Sequence, residues 1–413
     1  MYGRVLAILT AAVVVMAVLT ANPSLVRLGY VLCAVLAVAA MVTWTSIRWV
    51  DVRRQTRARR AEVGTLAEET FSVQNTGWLP KPWLEVLDGS DLPGHHASRA
   101  VTAVGPGRTR TWTVRTRCRR RGAYTLGPLT LVGGDPLGVF RITRELPQTV
   151  PFVVYPRTVA LRGFGLPTGY LSGGQVVRRR SEYATSNVRG VRGYQPGDPF
   201  NRIHWPTTAR RGRLFTKEFE LDPIADFWVV LDMDRSVHTG EGLDDEAMEA
   251  LDWANERDIA IEPTTEEYAV TAAASIARHL LDQGKNVGFI SHGQRRLIVQ
   301  PDRGERQLLK LLSNLAVLRA AGRDSLAQVL STESQEFSRH TTLVVVTPTP
   351  TLRWVEVLRE LRHRGVASIV VLVESSTFGG TTDSLPVVSA LVANNIPCRL
   401  VKLGDDLSSV LSG

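Results

Sequence analysis

Hydrophobic and polar positions follow three different rhythms along this chain, and each rhythm marks out a region. Val5 to Ala21 and Leu28 to Ile47 are continuous apolar runs without charge, parted by the turn sequence Asn22-Pro23-Ser24. Each run is long enough to cross about 30 Å of hydrocarbon as a helix, so the pattern predicts two membrane spans. From Glu62 to Leu161 short β-type segments alternate with turn residues: Glu69 to Gln74, Trp83 to Leu87, Thr109 to Arg115, Ala123 to Leu131 and Phe152 to Tyr155. That spacing, with no long helical period, predicts an antiparallel β-sandwich. From Ala225 onward, buried-type strands at Phe227 to Leu231, Asn286 to Ile290, Arg296 to Val299, Thr342 to Val346, Ser368 to Val373 and Cys398 to Lys402 alternate with amphipathic helices. The helices are expected at Glu266 to Asp282, Arg306 to Leu318, Arg353 to Arg362 and Pro386 to Asn394. Such alternation predicts a mostly parallel, doubly wound α/β sheet covered on both faces.

Charge adds an orientation. Arg48, Arg53, Arg54, Arg57, Arg59 and Arg60 follow the second apolar run, whereas the connecting turn carries no cluster. The positive-inside rule then places the N-terminus and everything after residue 48 in the cytoplasm. A cleaved signal peptide is the alternative for the first run; the immediate second run and the lack of a small-residue cleavage site argue against it. Three cysteines, Cys33, Cys118 and Cys398, stand far apart with no CxxC, which fits a reducing compartment without a thiolate metal site.

Between the β and α/β patterns, Pro196-Gly197 makes a turn and Asp198 precedes Pro199. Asp followed by Pro is an N-cap signal, so a helix is expected to start at Asp198 and carry Arg202, His204 and Trp205, with Gly212 at its end. Leu214 to Leu221 reads as the next strand. On physical grounds alone Asp198 caps, Trp205 fills a core, and the arginines are solvated or pair with Glu218 and Glu220.

The run Tyr194, Pro196, Gly197, Asp198, then Arg202, His204, Trp205, Ala209, Arg210, Gly212, Arg213, Leu214, Lys217 and Glu218 resembles the signature of the domain of unknown function 58 family. The resemblance implies an order of parts: two transmembrane helices (1–48), a β-sandwich (49–161), a basic Gly-rich loop (162–187), the signature acting as a clasp (188–224) and a von Willebrand factor A-like α/β domain (225–413). It also implies partners, a MoxR-type AAA+ ATPase and a transglutaminase-like membrane protein. The family's molecular activity is unsettled, so the resemblance constrains architecture more than function.

Ligands of open α/β sheets bind beyond the C-terminal strand ends. There the sequence reads Asp232-Met233-Asp234-Arg235-Ser236, which is similar to the DxSxS ion site of A domains. Asp232, Asp234 and Ser236 offer oxygen ligands suited to Mg²⁺. The pattern departs from the family's in two places: the middle position is Asp234, and Thr347-Pro348-Thr349 stands where A domains place a further aspartate. A paired or hydrated acidic loop without metal is the other reading. The acidic stretch from Glu241 to Glu267 is either solvated, a docking surface for a basic partner, or an internal partner for the arginine clusters.

Function classes separate on these residues. No GxxxxGK[ST] or dinucleotide glycine pattern occurs, and no Ser or Cys nucleophile motif accompanies His204. The net charge of +9 would suit nucleic acid, but the arginines lack interleaved aromatics, and those beside the membrane already have anionic lipid as a partner. The expectation is a membrane-anchored, non-enzymatic scaffold or adaptor; nucleic-acid binding and a His204 hydrolase are the alternatives.

Overall fold

The structure, a computed structural model, describes residues 2–165, 188–196, 198, 200, 203–219, 226–244, 246–248, 250, 261–339 and 341–412. Residues 166–187 of the Gly-rich loop expected over 162–187, together with Gly197, Pro199 and Arg202 of the signature stretch and the acidic residues of 251–260, lie outside them. At the N-terminus α1 (Tyr2–Thr20) and α2 (Pro23–Ser46) pack as a hairpin. Asn22 caps α2 by accepting from the Ser24 N–H, and Pro23 occupies its first position. By length and composition α2 alone qualifies as a membrane-crossing helix among the described residues; Val5–Thr20 is apolar but shorter.

The β region follows as β1 (Val50–Thr56), β2 (Arg60–Glu62), β3 (Leu66–Asn75), β4 (Lys81–Asp88), β5 (Arg99–Val104), β6 (Thr109–Arg117), β7 (Gly122–Leu126), β8 (Leu129–Gly134), β9 (Arg141–Leu146) and β10 (Val150–Tyr155). They form sheets in the orders β1-β3-β6, β5-β4-β8-β9 and β2-β10-β7. All of these pairs are antiparallel except β2 with β10. Period-two alternation sends Phe71 and Val73 of β3, Leu84 and Val86 of β4, Trp112 of β6 and Leu131 of β8 into one apolar cluster. Phe71 and Trp112 stack there at 5.4 Å. The segment expected as one strand over Ala123 to Leu131 is two, because Gly127-Pro128 interrupts the ladder: Pro128 has no N–H to donate, and Gly127 has a positive φ of 95°. Strands β1, β2, β5 and β9 were not expected.

The signature forms β11 (Val188–Gly193), α3 (Trp205–Arg211) and β12 (Phe215–Phe219). After it come β13 (Asp226–Leu231), α4 (Thr265–Asp282), β14 (Asn286–His292), β15 (Arg296–Asp302), α5 (Glu305–Val317), α6 (Leu326–Thr332), β16 (Thr342–Thr347), α7 (Arg353–His363), β17 (Ala367–Val373), α8 (Leu385–Ala393), β18 (Cys398–Val401) and α9 (Leu407–Ser412). These strands make one mixed sheet in the order β15-β14-β13-β16-β17-β18, parallel except for β15 at its edge. Every second residue of β13 faces the same way. Phe227, Val229 and Leu231 pack with α4 and α5, and Trp228 and Val230 pack with α6, α7 and α8.

The β and α/β regions share a continuous contact. Tyr155 and Phe164 join the apolar cluster of α4 and α5, and the Val159 N–H donates to Ser275 Oγ at 2.9 Å. Arg121, fully buried, donates to both oxygens of Glu267, to Glu266, and to the carbonyls of Leu315 and Leu318. Arg121, the last of a second arginine cluster at Arg115, Arg117, Arg119, Arg120 and Arg121, thus meets the acidic stretch internally, the third of the readings given for that stretch.

Candidate functional site

Two places hold the residues singled out above, and they differ in what they expose. At the sheet end, β13 and β16 are neighbouring parallel strands with Leu231 opposite Val346, so Asp232 and Thr347 emerge side by side. Asp232 Oδ2 accepts from the hydroxyls of Thr347 at 2.7 Å and Thr349 at 2.6 Å, and its Oδ1 accepts from the Asp234 N–H at 3.1 Å. Thr347 Oγ1 also accepts from the Thr349 N–H, which fixes the direction of its own proton toward Asp232. Burial pushes the Asp232 carboxyl above the usual carboxylate range, against the opposing pull of the two threonine hydroxyls and His238.

Asp234 is buried and turned inward as well. Its Oδ1 accepts from both the N–H and the hydroxyl of Ser236, at 2.9 Å each, while its backbone bridges to Gly322. Gly322 is required there, since a Cβ would collide with the His292 carbonyl. Arg235 is exposed. Sequence reasoning missed His238, whose Nε2 donates to the Asp232 carbonyl at 3.0 Å and whose Nδ1 contacts Thr265 Oγ1 at 3.1 Å. A histidine six residues past Asp232 gave no pattern by which to find it.

The oxygen donors match a hard cation in kind. In the structure Asp232 Oδ2 already holds two hydroxyl donors and Oδ1 one N–H from this chain. Among the described residues no group of three or more His, Cys, Asp or Glu side chains converges.

The signature is built differently. Strands β11 and β12 pair with each other and join no other sheet among the described residues. The α-helix that the described residues show in this stretch is Trp205–Arg211, with His204 as its N-cap: His204 Nδ1 accepts from the Thr207 N–H at 3.3 Å. Among the described residues the Asp198 carboxylate has other partners. It takes both Arg192 guanidinium nitrogens at 2.9 and 2.8 Å, the Gln195 N–H and the Thr216 hydroxyl. The Arg192 bonds hold the Asp198 carboxyl below its usual range.

Gly212 ends α3 as expected, left-handed at φ 64°, its N–H donating to the Thr208 carbonyl. Tyr194 donates its N–H to the Leu214 carbonyl and leans on Phe200 at 6.0 Å. Pro196, Ala209, Arg210 and Leu214 are exposed, and Lys217 is half-buried opposite Val191. The backbone of Glu218 pairs with Gly190; its side chain lies outside the described residues.

Trp205 was expected in a core and is 63% exposed, on a helix with no buried residue. The reason is local. Among the described residues of this unit Ile203, Phe215 and Thr216 are the buried ones, and Ile203 bridges to Thr216, which turns the helix that follows outward. Phe200 is exposed too. His204, the candidate base of a hydrolase reading, uses Nδ1 for the Thr207 cap, with the Thr207 hydroxyl at 2.8 Å.

A profile of the family described as "Protein of unknown function DUF58" matches residues 190–376, a span that contains both places. The "Uncharacterized protein YeaD" of Bacillus subtilis (strain 168) is 23% identical over 354 residues, covering 83% of this chain and 81% of that protein. Both support the family resemblance read from the sequence. Among solved structures, the CARDB domain of the PF1109 protein from Pyrococcus furiosus is matched at a TM-score of 0.19 and 20% identity, covering 25% of this chain and 91% of that one. The pilus adhesin SpaC from Lactobacillus rhamnosus GG is matched at a TM-score of 0.32 and 11% identity, covering 45% and 29%. Neither likeness carries weight at such scores.

Proposed function

We propose that this DUF58-family chain is a membrane-anchored cytoplasmic adaptor whose signature unit, β11-α3-β12, is the surface that engages a partner protein. One observation carries the reading: Trp205 and Phe200 stand exposed on a unit held in shape by the Asp198 carboxylate on Arg192 and Thr216. An exposed tryptophan beside arginines is the composition of a binding hot spot, not of a packed clasp between domains. The contact between the β and α/β regions runs through Arg121 and residues 155–164 instead, which leaves the signature free of that duty.

The family resemblance supplies the candidate partner, a MoxR-type AAA+ ATPase, with a transglutaminase-like membrane protein as a second. Anchoring by both α1 and α2, with the rest of the chain cytoplasmic, fits the arginines after residue 47. The β region read as a sandwich and the C-terminal sheet read as von Willebrand factor A-like both fit the adaptor. Under this reading the Asp232, Asp234 and Ser236 loop is a rigid strand-end that holds its neighbours without Mg²⁺. Capture of a purified MoxR-type ATPase by the full chain, compared with Trp205→Ala, tests the proposal. Equal capture by both proteins contradicts it.

A further inference from the structure

We infer that the β region rests on the bilayer that holds α2, with the loops 76–80 and 136–140 seated at headgroup level. The inference depends on α2 crossing that bilayer, and it concerns how the rest of the chain is placed against it. At 1.5 Å per residue, the 24 residues of α2 span about 36 Å against about 30 Å of hydrocarbon, so its last turn reaches the headgroup layer.

The β region is fastened at that turn. Lys81 Nζ donates to the Thr45 carbonyl at 2.5 Å, and Arg144 reaches the Ile47 carbonyl at 3.5 Å. Gly133 of β8 lies so close that a Cβ would collide with Ser46 Oγ. Thr43 Oγ1 reaches Asp135 Oδ1 at 3.5 Å, which sets the following loop at the height of residue 43.

Two loops present apolar side chains at this level. Asp135 accepts the N–H groups of Leu137, Val139 and Phe140 at 2.9, 3.2 and 2.6 Å, folding the loop tightly and leaving Leu137 64% exposed. Thr76 donates its N–H and its hydroxyl to the Trp49 carbonyl, which brings the next loop, with Trp78 at 74% exposure, beside the helix exit. Trp44 and Trp49 are exposed between them, and the Arg48 guanidinium lies 3.9 Å over the Trp44 ring.

Single exposed apolar residues are ordinary on a protein surface, but Trp44, Trp49, Trp78, Leu137 and Phe140 flank one helix exit. Tryptophan favours the membrane-water boundary, and arginine beside it meets anionic headgroups. The nearby acids are answered: Glu85 pairs with Arg141 at 2.7 Å and Asp51 with Arg53 at 2.8 Å. The occupant of this face is therefore the chain's own bilayer.

Nitroxide labels on the full chain in phosphatidylcholine–phosphatidylglycerol nanodiscs test this, placed singly at Leu137→Cys, Val38→Cys and Leu385→Cys in a Cys33→Ser background. Cys118 is buried and Cys398 half-buried, so the labelling of the Cys33→Ser parent is measured alongside and subtracted. The expected result is a label at 137 several-fold less accessible to an aqueous nickel chelate than the label at 385, with the label at 38 deeper still. A label at 137 as open to nickel as that at 385, while 38 remains deep, overturns the seating and leaves the span intact. An aqueous label at 38 overturns the span and the seating together. If Leu137→Cys fails to fold, Trp78→Cys gives the same reading.

Discussion

Arg121 Nε lies 3.0 and 2.9 Å from the two carboxylate oxygens of Glu267, joining residues 146 positions apart and two regions of the chain. The guanidinium also reaches Glu266 in the first turn of α4 and the last carbonyls of α5. One side chain therefore ties the acidic first turn of α4 to the C-terminal carbonyls of α5, using nearly all of its donors. Arg121→Ala should cost about 3–5 kcal/mol in urea unfolding, since it leaves carboxylates and carbonyls without their partner. Arg121→Lys should recover little, because an ammonium cannot reproduce the planar fork. A stability equal to the parent for Arg121→Ala would mean that the two regions are held by the Tyr155 and Phe164 packing alone.

His95 predicts a pH dependence. It is buried, and burial alone would lower its pKa, but the hydrogen bonds and charges of Asp88 at 3.0 Å and Glu69 at 3.2 Å outweigh that and raise it to about 9. Arg54 and Thr116 complete its surroundings. With an ordinary value of 6.5, its contribution is fully present below pH 6.5 and lost as pH rises through 9. Glu69 and Asp88 run the other way: burial would raise them, yet hydrogen bonds from His95 and the Arg54 charge leave both lowered, so their contribution fades as pH falls into the acid range. Thermal melts from pH 6 to 9.5 should show a falling midpoint that flattens in His95→Gln.

At the strand end, Asp232→Ala removes the acceptor for the Thr347 and Thr349 hydroxyls. Leaving these buried donors unpaired should cost about 1–3 kcal/mol, read by chemical unfolding. The same account expects Mg²⁺ to release no binding heat in calorimetric titration and EDTA to leave partner capture unchanged. A Mg²⁺ isotherm abolished by Asp232→Ala would show that the cation displaces these hydroxyl bonds.

The α/β region was legible in the sequence because its strands are buried on both faces, so runs such as Thr342 to Val346 and Ser368 to Val373 are nearly continuous in apolar residues. Strand β1 was not: Val50–Thr56 carries Asp51, Arg53 and Arg54, and reads as a charge cluster although Arg54 is buried against Glu69 and Asp88. The signature was found by its residues and misread in its geometry. Asp198 before Pro199 has the form of a cap, but the partners its carboxylate takes among the described residues are Arg192, Gln195 and Thr216, and only tertiary contacts reveal them. Arg121 reads in the sequence only as one of a run of arginines, since its individual partners lie far along the chain.

The central claim is that the signature is a recognition surface, and Trp205 tests it most directly. Because the side chain is exposed, Trp205→Ala should change folding stability by no more than about 0.5 kcal/mol. Capture of a MoxR-type ATPase by the detergent-extracted full chain should nevertheless fall sharply. The account is contradicted by the reverse result, a clear loss of stability with capture undiminished, which would return Trp205 to a packing role.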